Sequence, residues 1–290
     1  MVKKGKSKIF ASDKKNIKTT LVVLLGAALI GGIFLFFHRE KEIKPKTAVH
    51  GAVPKKTFTQ RLPAGSGSKI AFIFDDWGYN TRNCRYLKEI KTPLAVSILP
   101  DLPHSTDIMK CAAIHNKDIM LHLPMEPYHN NDLYPDGYLI TTKMSVTQVE
   151  KRLEEIFKKM PLIMGVNNHM GSKATEDEAL MTIVFKKIRR KGLFFVDSMT
   201  APHHSVCSEL AEQMRIPFAK RDIFLDNINT REAIEKQIVV LARIARRQGY
   251  AIAIGHDRQL TLQIMQEEIP ILQEQGFAIV HVKDLLRNQR

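Results

Sequence analysis

The 290-residue sequence predicts an α/β protein: a distorted (β/α) barrel of seven or eight strands, preceded by one transmembrane helix. Three observations predict it. From Lys69 onward, eight short apolar runs alternate with longer helical stretches. Polar residues gather at the C-terminal ends of many of those runs. Leu21 to Phe37 form an uncharged apolar run behind a lysine-rich start. Alternating β and α units build parallel sheets, and functional groups spread over many strand ends favour a barrel over a doubly wound sheet.

The N-terminal segment comes first. Residues 1–61 hold fourteen Lys and Arg against three acids, which is +11 of the formal +14. The basic excess therefore belongs to this segment, and the domain that follows has no nucleic-acid signature. The run LVVLLGAALIGGIFLFF (21–37) follows Lys14, Lys15 and Lys18. It is close to the shortest length that spans a bilayer. His38 and Arg39 follow it where a cleavable signal would place small residues, so it reads as an uncleaved anchor. The denser charge on its N-terminal side predicts that residues 1–20 stay in the cytoplasm. The domain would then lie outside the inner membrane, in the periplasm or extracellular space. Residues 38–68, rich in Lys, Pro, Thr, Gly and Ser and ending in AGSGS, read as a flexible linker. Residues 69–290 form the folded domain.

Within that domain the strand candidates are KIAFIF, PLAVSIL, DIMLHL, LIMGVNN, GLFFVD, DIFLD, YAIAIG and FAIVHV. Their length and β-branched or aromatic content suit buried parallel strands. Helices are expected where caps precede apolar periodicity. Ser145 opens one whose Val149, Leu153, Ile156 and Phe157 share a face. Thr175 with Glu178 reads as a capping box for the next. Thr230 starts a third, closed by Gly249. Thr261 starts a fourth, interrupted by Pro270. Cys84, Cys111 and Cys207 are odd in number and widely spaced, so they offer neither a disulfide framework nor a C-x-x-C metal motif and read as small core residues.

The rim of such a barrel would carry Asp75 and Asp76, His122 and Glu126, and Asn167, Asn168 and His169. It would also carry Asp197 with Ser198 and Thr200, Arg221 with Asp222 and Asp226, and His256 with Asp257. Two adjacent carboxylates at a strand end repel, so a cation or a mobile proton is the natural reason to keep them. Two imidazoles and one carboxylate make an open N/O site suited to Zn²⁺, and also to Co²⁺, Ni²⁺ or Fe²⁺. Adjacent residues of an extended strand point opposite ways. Both aspartates therefore serve one site only if the chain turns, which Gly78 permits.

IFDDWG resembles the paired-aspartate motif of polysaccharide deacetylases, carbohydrate esterase family four. HLPMEP, NNHMGS, DSMT, RDIFLDN and the IGH pattern resemble more closely its divergent branch, the family-two polysaccharide deacetylases, over about Lys69 to Leu286. The resemblance implies Asp75 as general base and Asp76 as a metal ligand. The main esterase family takes two further ligands from one H-x-x-x-H motif, which is absent here, so His122 and His169 on separate strands are the candidates. It implies His256 as the acid that protonates the leaving group, with His281 as runner-up. Asp197 is expected to orient His256 or bind substrate. Trp77, Glu126 and Asn168 are substrate-binding candidates, Trp77 by stacking on a sugar or else packing in the core. Arg221 and Asp222 are expected to form an ion pair.

The activity implied is metal-dependent removal of N-acetyl groups from an envelope or extracellular polysaccharide, with a divalent ion, Zn²⁺ first, as cofactor. Two other readings fit the residues. One is a non-catalytic envelope protein that binds glycan or a protein. The other is a glycosidase pairing Asp75 or Asp76 with Asp197 or Glu126.

Overall fold

A computed structural model describes residues 67–129 and 138–286. The expected anchor, linker and basic N-terminus lie outside the described residues. Among the described residues, no helix is long and apolar enough to cross a membrane.

The strands are β1 (Lys69–Trp77), β2 (Ala95–Ile98), β3 (Asp118–Met125), β4 (Gly165–Met170), β5 (Phe194–Asp197), β6 (Phe218–Lys220), β7 (Ile223–Phe224), β8 (Tyr250–His256) and β9 (Ala278–Ile279). The helices are α1 (Cys84–Glu89), α2 (Ser105–Ile114), α3 (Val146–Lys159), α4 (Glu178–Arg190), α5 (Cys207–Gln213), α6 (Arg231–Gln248) and α7 (Gln259–Glu274). All strand pairs are parallel, in the order β6-β5-β4-β3-β2-β1-β8-β7, with β9 beside the start of β1. The two ends of this sheet, β6 and β7, are joined in the chain by Arg221 and Asp222 alone. Two residues reach only about 11 Å between the flanking Cα atoms, so the sheet must curl until its edges nearly meet. The expected barrel is therefore present in its open form. The strand expected at DIFLD shortens to β7, which pairs with β8, and a separate short strand that was not expected, β6, precedes it and pairs with β5. The strand expected at FAIVHV shrinks to Ala278–Ile279, and Val282–Leu285 forms a 3-10 turn.

Side chains alternate between the two faces of the curled sheet. Ile70, Phe72 and Phe74 of β1 belong to the large core under the helices, as do Leu121 and Leu123 of β3 and Ala251 and Ala253 of β8. Ala71, Ile73, Met120, Val196, Ile252 and Ile254 point the other way and form the barrel interior, which Val282 and Leu285 plug from below. Gly165 lies where β4 meets β5: a Cβ there would lie 2.2 Å from the ring of Phe194. Gly165→Ala is expected to lower stability by about 1–3 kcal/mol through overpacking. Urea unfolding should show a lower midpoint with unchanged slope.

Caps follow the predicted chemistry in part. Ser145 and Gln148 form a reciprocal capping box on α3, Thr230 caps α6, and Gly249 ends α6 in the left-handed region at φ 88°. Two expected caps move. Asp177 rather than Thr175 accepts the Leu180 N–H at the start of α4, while Thr175 donates back to Gly171. Helix α7 begins at Gln259, before Thr261, whose hydroxyl is drawn to Asp226 instead.

Candidate metal centre

The alternation that fills the barrel interior also builds the site. Continuing the inward rows toward the C-terminal ends takes Ala71 and Ile73 to Asp75, Met120 to His122, Gly165 to Asn167 and His169, and Ile252 and Ile254 to His256. Asp75 stands opposite His256 across β1 and β8, and His122 opposite Asn167 across β3 and β4. Asp76 would point away in a regular strand. It instead adopts a left-handed conformation at φ 65°, and the β1–β2 register slips between Phe74 and Trp77. Such a backbone costs about 1–2 kcal/mol for a non-glycine residue. It turns the second carboxylate toward the same centre as the first. The turn that the sequence led us to expect at Gly78 thus starts at Asp76 itself, and Gly78 continues it at φ 127°.

Asp76, His122 and His169 meet at one point. Asp76 Oδ1 lies 3.4 Å from His122 Nε2 and 3.2 Å from His169 Nδ1, and these two nitrogens are 3.1 Å apart. No N–H is aimed at Oδ1, which is buried without a hydrogen-bond partner. An orphaned buried carboxylate oxygen is costly, and three electron-rich atoms facing one another call for a cation between them. Ligands about 2.0–2.1 Å from a tetrahedral ion stand about 3.3 Å apart, so the observed separations fit such an ion. The donor set, two imidazoles and one carboxylate, is that of an open divalent site.

Asn167 ties this cluster to Asp75. Its amide donates to Asp75 Oδ1 at 2.9 Å and to Ser198 Oγ at 3.2 Å, so its carbonyl oxygen is the acceptor for His122 Nδ1 at 3.0 Å and for the Ser97 hydroxyl. His122 therefore carries its proton on Nδ1 and turns Nε2 to the centre, the arrangement in which a ring is fixed by its second nitrogen. Burial pushes the Asp75 carboxyl up, against the pull of His122 and Asn167. Burial opposes ionisation of Asp76 too, but with no cation in place the hydrogen bonding and positive charge of His122 and His169, when protonated, outweigh that and hold it well below the usual range. His122 is pulled up despite its burial by Asp75 and Asp76, whereas burial and the neighbouring His122 lower His169.

On the opposite side, His256 Nδ1 donates to Asp226 Oδ1 at 2.9 Å, leaving Nε2 3.7 Å from Asp76 Oδ2. Asp226 is fully buried, and its other oxygen accepts the His256 backbone N–H and the Thr261 hydroxyl. Burial works against its charge, but His256 and Thr261 outweigh that and lower it. The Phe224 ring lies nearly perpendicular to that of His256, and the Arg221 guanidinium sits over the Phe224 ring. Asp257, the next residue, is pushed up to about 7 by burial, against the hydrogen bond from Asn83.

The remaining candidates are placed elsewhere. Asp197 does not orient His256: its oxygens accept the Met199 N–H and the Ser205 hydroxyl, and Asp226 occupies the orienting position. It follows Phe195 in the outward row, which turns it away from the inward-facing His256. Asn168 is also of outward parity. It staples β4 to the loop after β5, donating to Met170 and Thr200 and accepting from Ser198. Trp77 is 0% exposed within the helix-side core, so its ring offers no stacking surface. Glu126 is engaged by Lys173 and by the Thr142 N–H and hydroxyl. Asp197 and Glu126, the second carboxylates of the glycosidase alternative, thus each take their hydrogen bonds from residues outside the Asp76–His122–His169 centre. His281 bonds Asp118, the first residue of β3, at the opposite end of the barrel from His256. Arg221 donates to the Ser198 and Met199 carbonyls, and Asp222 binds Gln248 and the Ile252 N–H, so they form no pair.

The molecule is thus an open parallel barrel with a carboxylate–imidazole cluster at its C-terminal mouth. The chain belongs to the divergent polysaccharide deacetylase family, whose model matches residues 72–286. It is 32% identical over 245 residues to an uncharacterised protein of Haemophilus influenzae, covering 84% of this chain and 86% of that one. It is 30% identical over 201 residues to the uncharacterised protein YibQ of Escherichia coli, covering 69% of this chain and 62% of the relative. The crystal structure of an uncharacterised protein from Agrobacterium tumefaciens shares the fold, with a TM-score of 0.72 at 20% identity over 77% of this chain and 91% of that one.

Proposed function

We propose that this protein is a metal-dependent hydrolase that removes N-acetyl groups from a cell-envelope or extracellular polysaccharide. The observation that carries the reading is the spacing of Asp76, His122 and His169, flanked by Asp75 and His256, in a chain of a deacetylase family. Asp76, His122 and His169 would hold the divalent ion, Zn²⁺ first among candidates. When bound, it would polarise the acetyl carbonyl and make a water acidic near neutrality. Asp75 Oδ2, free of the Asn167 bond and 3.6 Å from His122 Nε2, takes the proton from the attacking water. The burial that raises Asp75 suits it to accept that proton. His256 Nε2 delivers a proton to the departing amine nitrogen, its ring held in that tautomer by Asp226. Leu21–Phe37 anchors the chain to the inner membrane and leaves the domain outside it, where such substrates lie.

The test is acetate release from N-acetylated glycan by the purified protein. We expect release that a chelator abolishes and added Zn²⁺ restores. Glycan retention with no acetate released under any metal would overturn the catalytic reading and support the non-catalytic binding alternative.

A further inference from the structure

Cys84 opens α1 and Cys111 lies in the last turn of α2. The sequence spaces them too widely to suggest a pair, but the two helices pack together. Cys111 Sγ lies 3.9 Å from the carbonyl oxygen of Cys84, within reach of a weak S–H···O contact. The Cys111 side chain is thus close enough to Cys84 for the two thiols to influence each other's charge. Both are half-buried at the edge of the core, whereas Cys207 is fully buried at the start of α5. These are the three cysteines of the chain, so the pair has no accessible competitor. Burial, the neighbouring Cys111 and the nearby Asp257 and Asp107 push the Cys84 thiol up to about 12.

We propose that Cys84 and Cys111 are a modification site, oxidised to an intramolecular disulfide by exchange with a small-molecule or protein disulfide. Two S–H bonds break and one S–S bond forms. The oxidant's S–S bond is reduced to two thiols, which take up the two electrons and two protons. Because the attacking species is a thiolate, the raised thiol makes uncatalysed exchange slow, so the reduced pair persists until a disulfide donor acts on it. The bridge would join the two helices beside the mouth. Its effect reaches the site wall, because Asn83, one residue before Cys84, donates to Asp257 Oδ1 at 2.6 Å and Asp257 follows His256. The use of the bridge in the cell rests on the exterior location proposed above; the chemistry of the pair does not.

The experiment equilibrates the full-length protein in detergent with reduced and oxidised glutathione at about pH 8, where exchange proceeds. Acid quenching, alkylation, intact mass and peptide mapping follow. We expect reactive thiols to fall from three to one and a cross-linked peptide to contain Cys84 and Cys111. The thermal midpoint should rise by about 5–10 °C. Cys84→Ser should abolish the cross-link and the rise. Three thiols remaining at equilibrium, or glutathione adducts on separate cysteines in place of the cross-link, would overturn the proposal. None of these readouts involves a metal or acetate, so failure here leaves the deacetylase reading untouched, and the reverse holds as well.

Discussion

Asp76→Ala and His169→Ala are each expected to cost the purified protein its divalent ion, taking occupancy from about one per chain to below detection. Removing a residue that only orients a ligand costs about 10–100-fold in metal affinity. Removing a ligand from a three-residue centre should therefore cost more than about 100-fold. Asp76 also carries a backbone load. Its φ of 65° suits Asn or Gly better than Ala, so the Ala variant loses some stability for reasons unrelated to metal. Asp76→Asn separates the two effects, since it keeps the left-handed turn and removes the charge. We expect near-native unfolding with weakened metal binding. Elemental analysis and isothermal titration read the outcome, and full occupancy in both the Asp76→Ala and His169→Ala proteins would sink the ligand assignment.

The adjacent carboxylate should behave differently. Asp75→Asn is expected to keep the ion and lose turnover, with kcat lower by about 10²–10⁴. Asp75 receives the Asn167 amide at 2.9 Å and lies 3.6 Å from His122, but it is absent from the group of three donors. The two neighbouring residues would thus split by phenotype, one through metal content and the other through rate at full metal content. Loss of metal in Asp75→Asn would show that the two carboxylates act as one ligand pair, and the base would have to be sought elsewhere.

Much of this site was legible because a strand repeats every two residues. The apolar residues of β1, β3 and β8 mark the inward face, and counting on by twos reaches Asp75, His122 and His256. The same count finds Asn167, which residue type alone did not single out. It would have excluded Asn168 and Asp197, which share the helix-facing row with Val166 and Phe195. Trp77 shows where counting stops working. It belongs to the inward row of β1 by parity, yet the left-handed step at Asp76 sends it into the helix-side core. That step belongs to no residue pattern, since Asp is only modestly tolerant of positive φ. The short helices α1, α2 and α5 escaped for another reason: none has a side-chain cap, and two of them span less than two full turns. The partnership of Asp226 with His256 was hidden because thirty positions separate them, and only the curl of the sheet brings β7 against β8.

The pairing of β1 with β8 over Lys69–Asp75 carries a consequence for biogenesis. The first strand of the domain finds its main neighbour only after nearly all of the domain has been synthesised, and the plug at Val282 and Leu285 comes later still. Contacts so distant along the chain close slowly. A nascent polypeptide would reach its exit from the ribosome with the barrel unsealed and apolar rows bare.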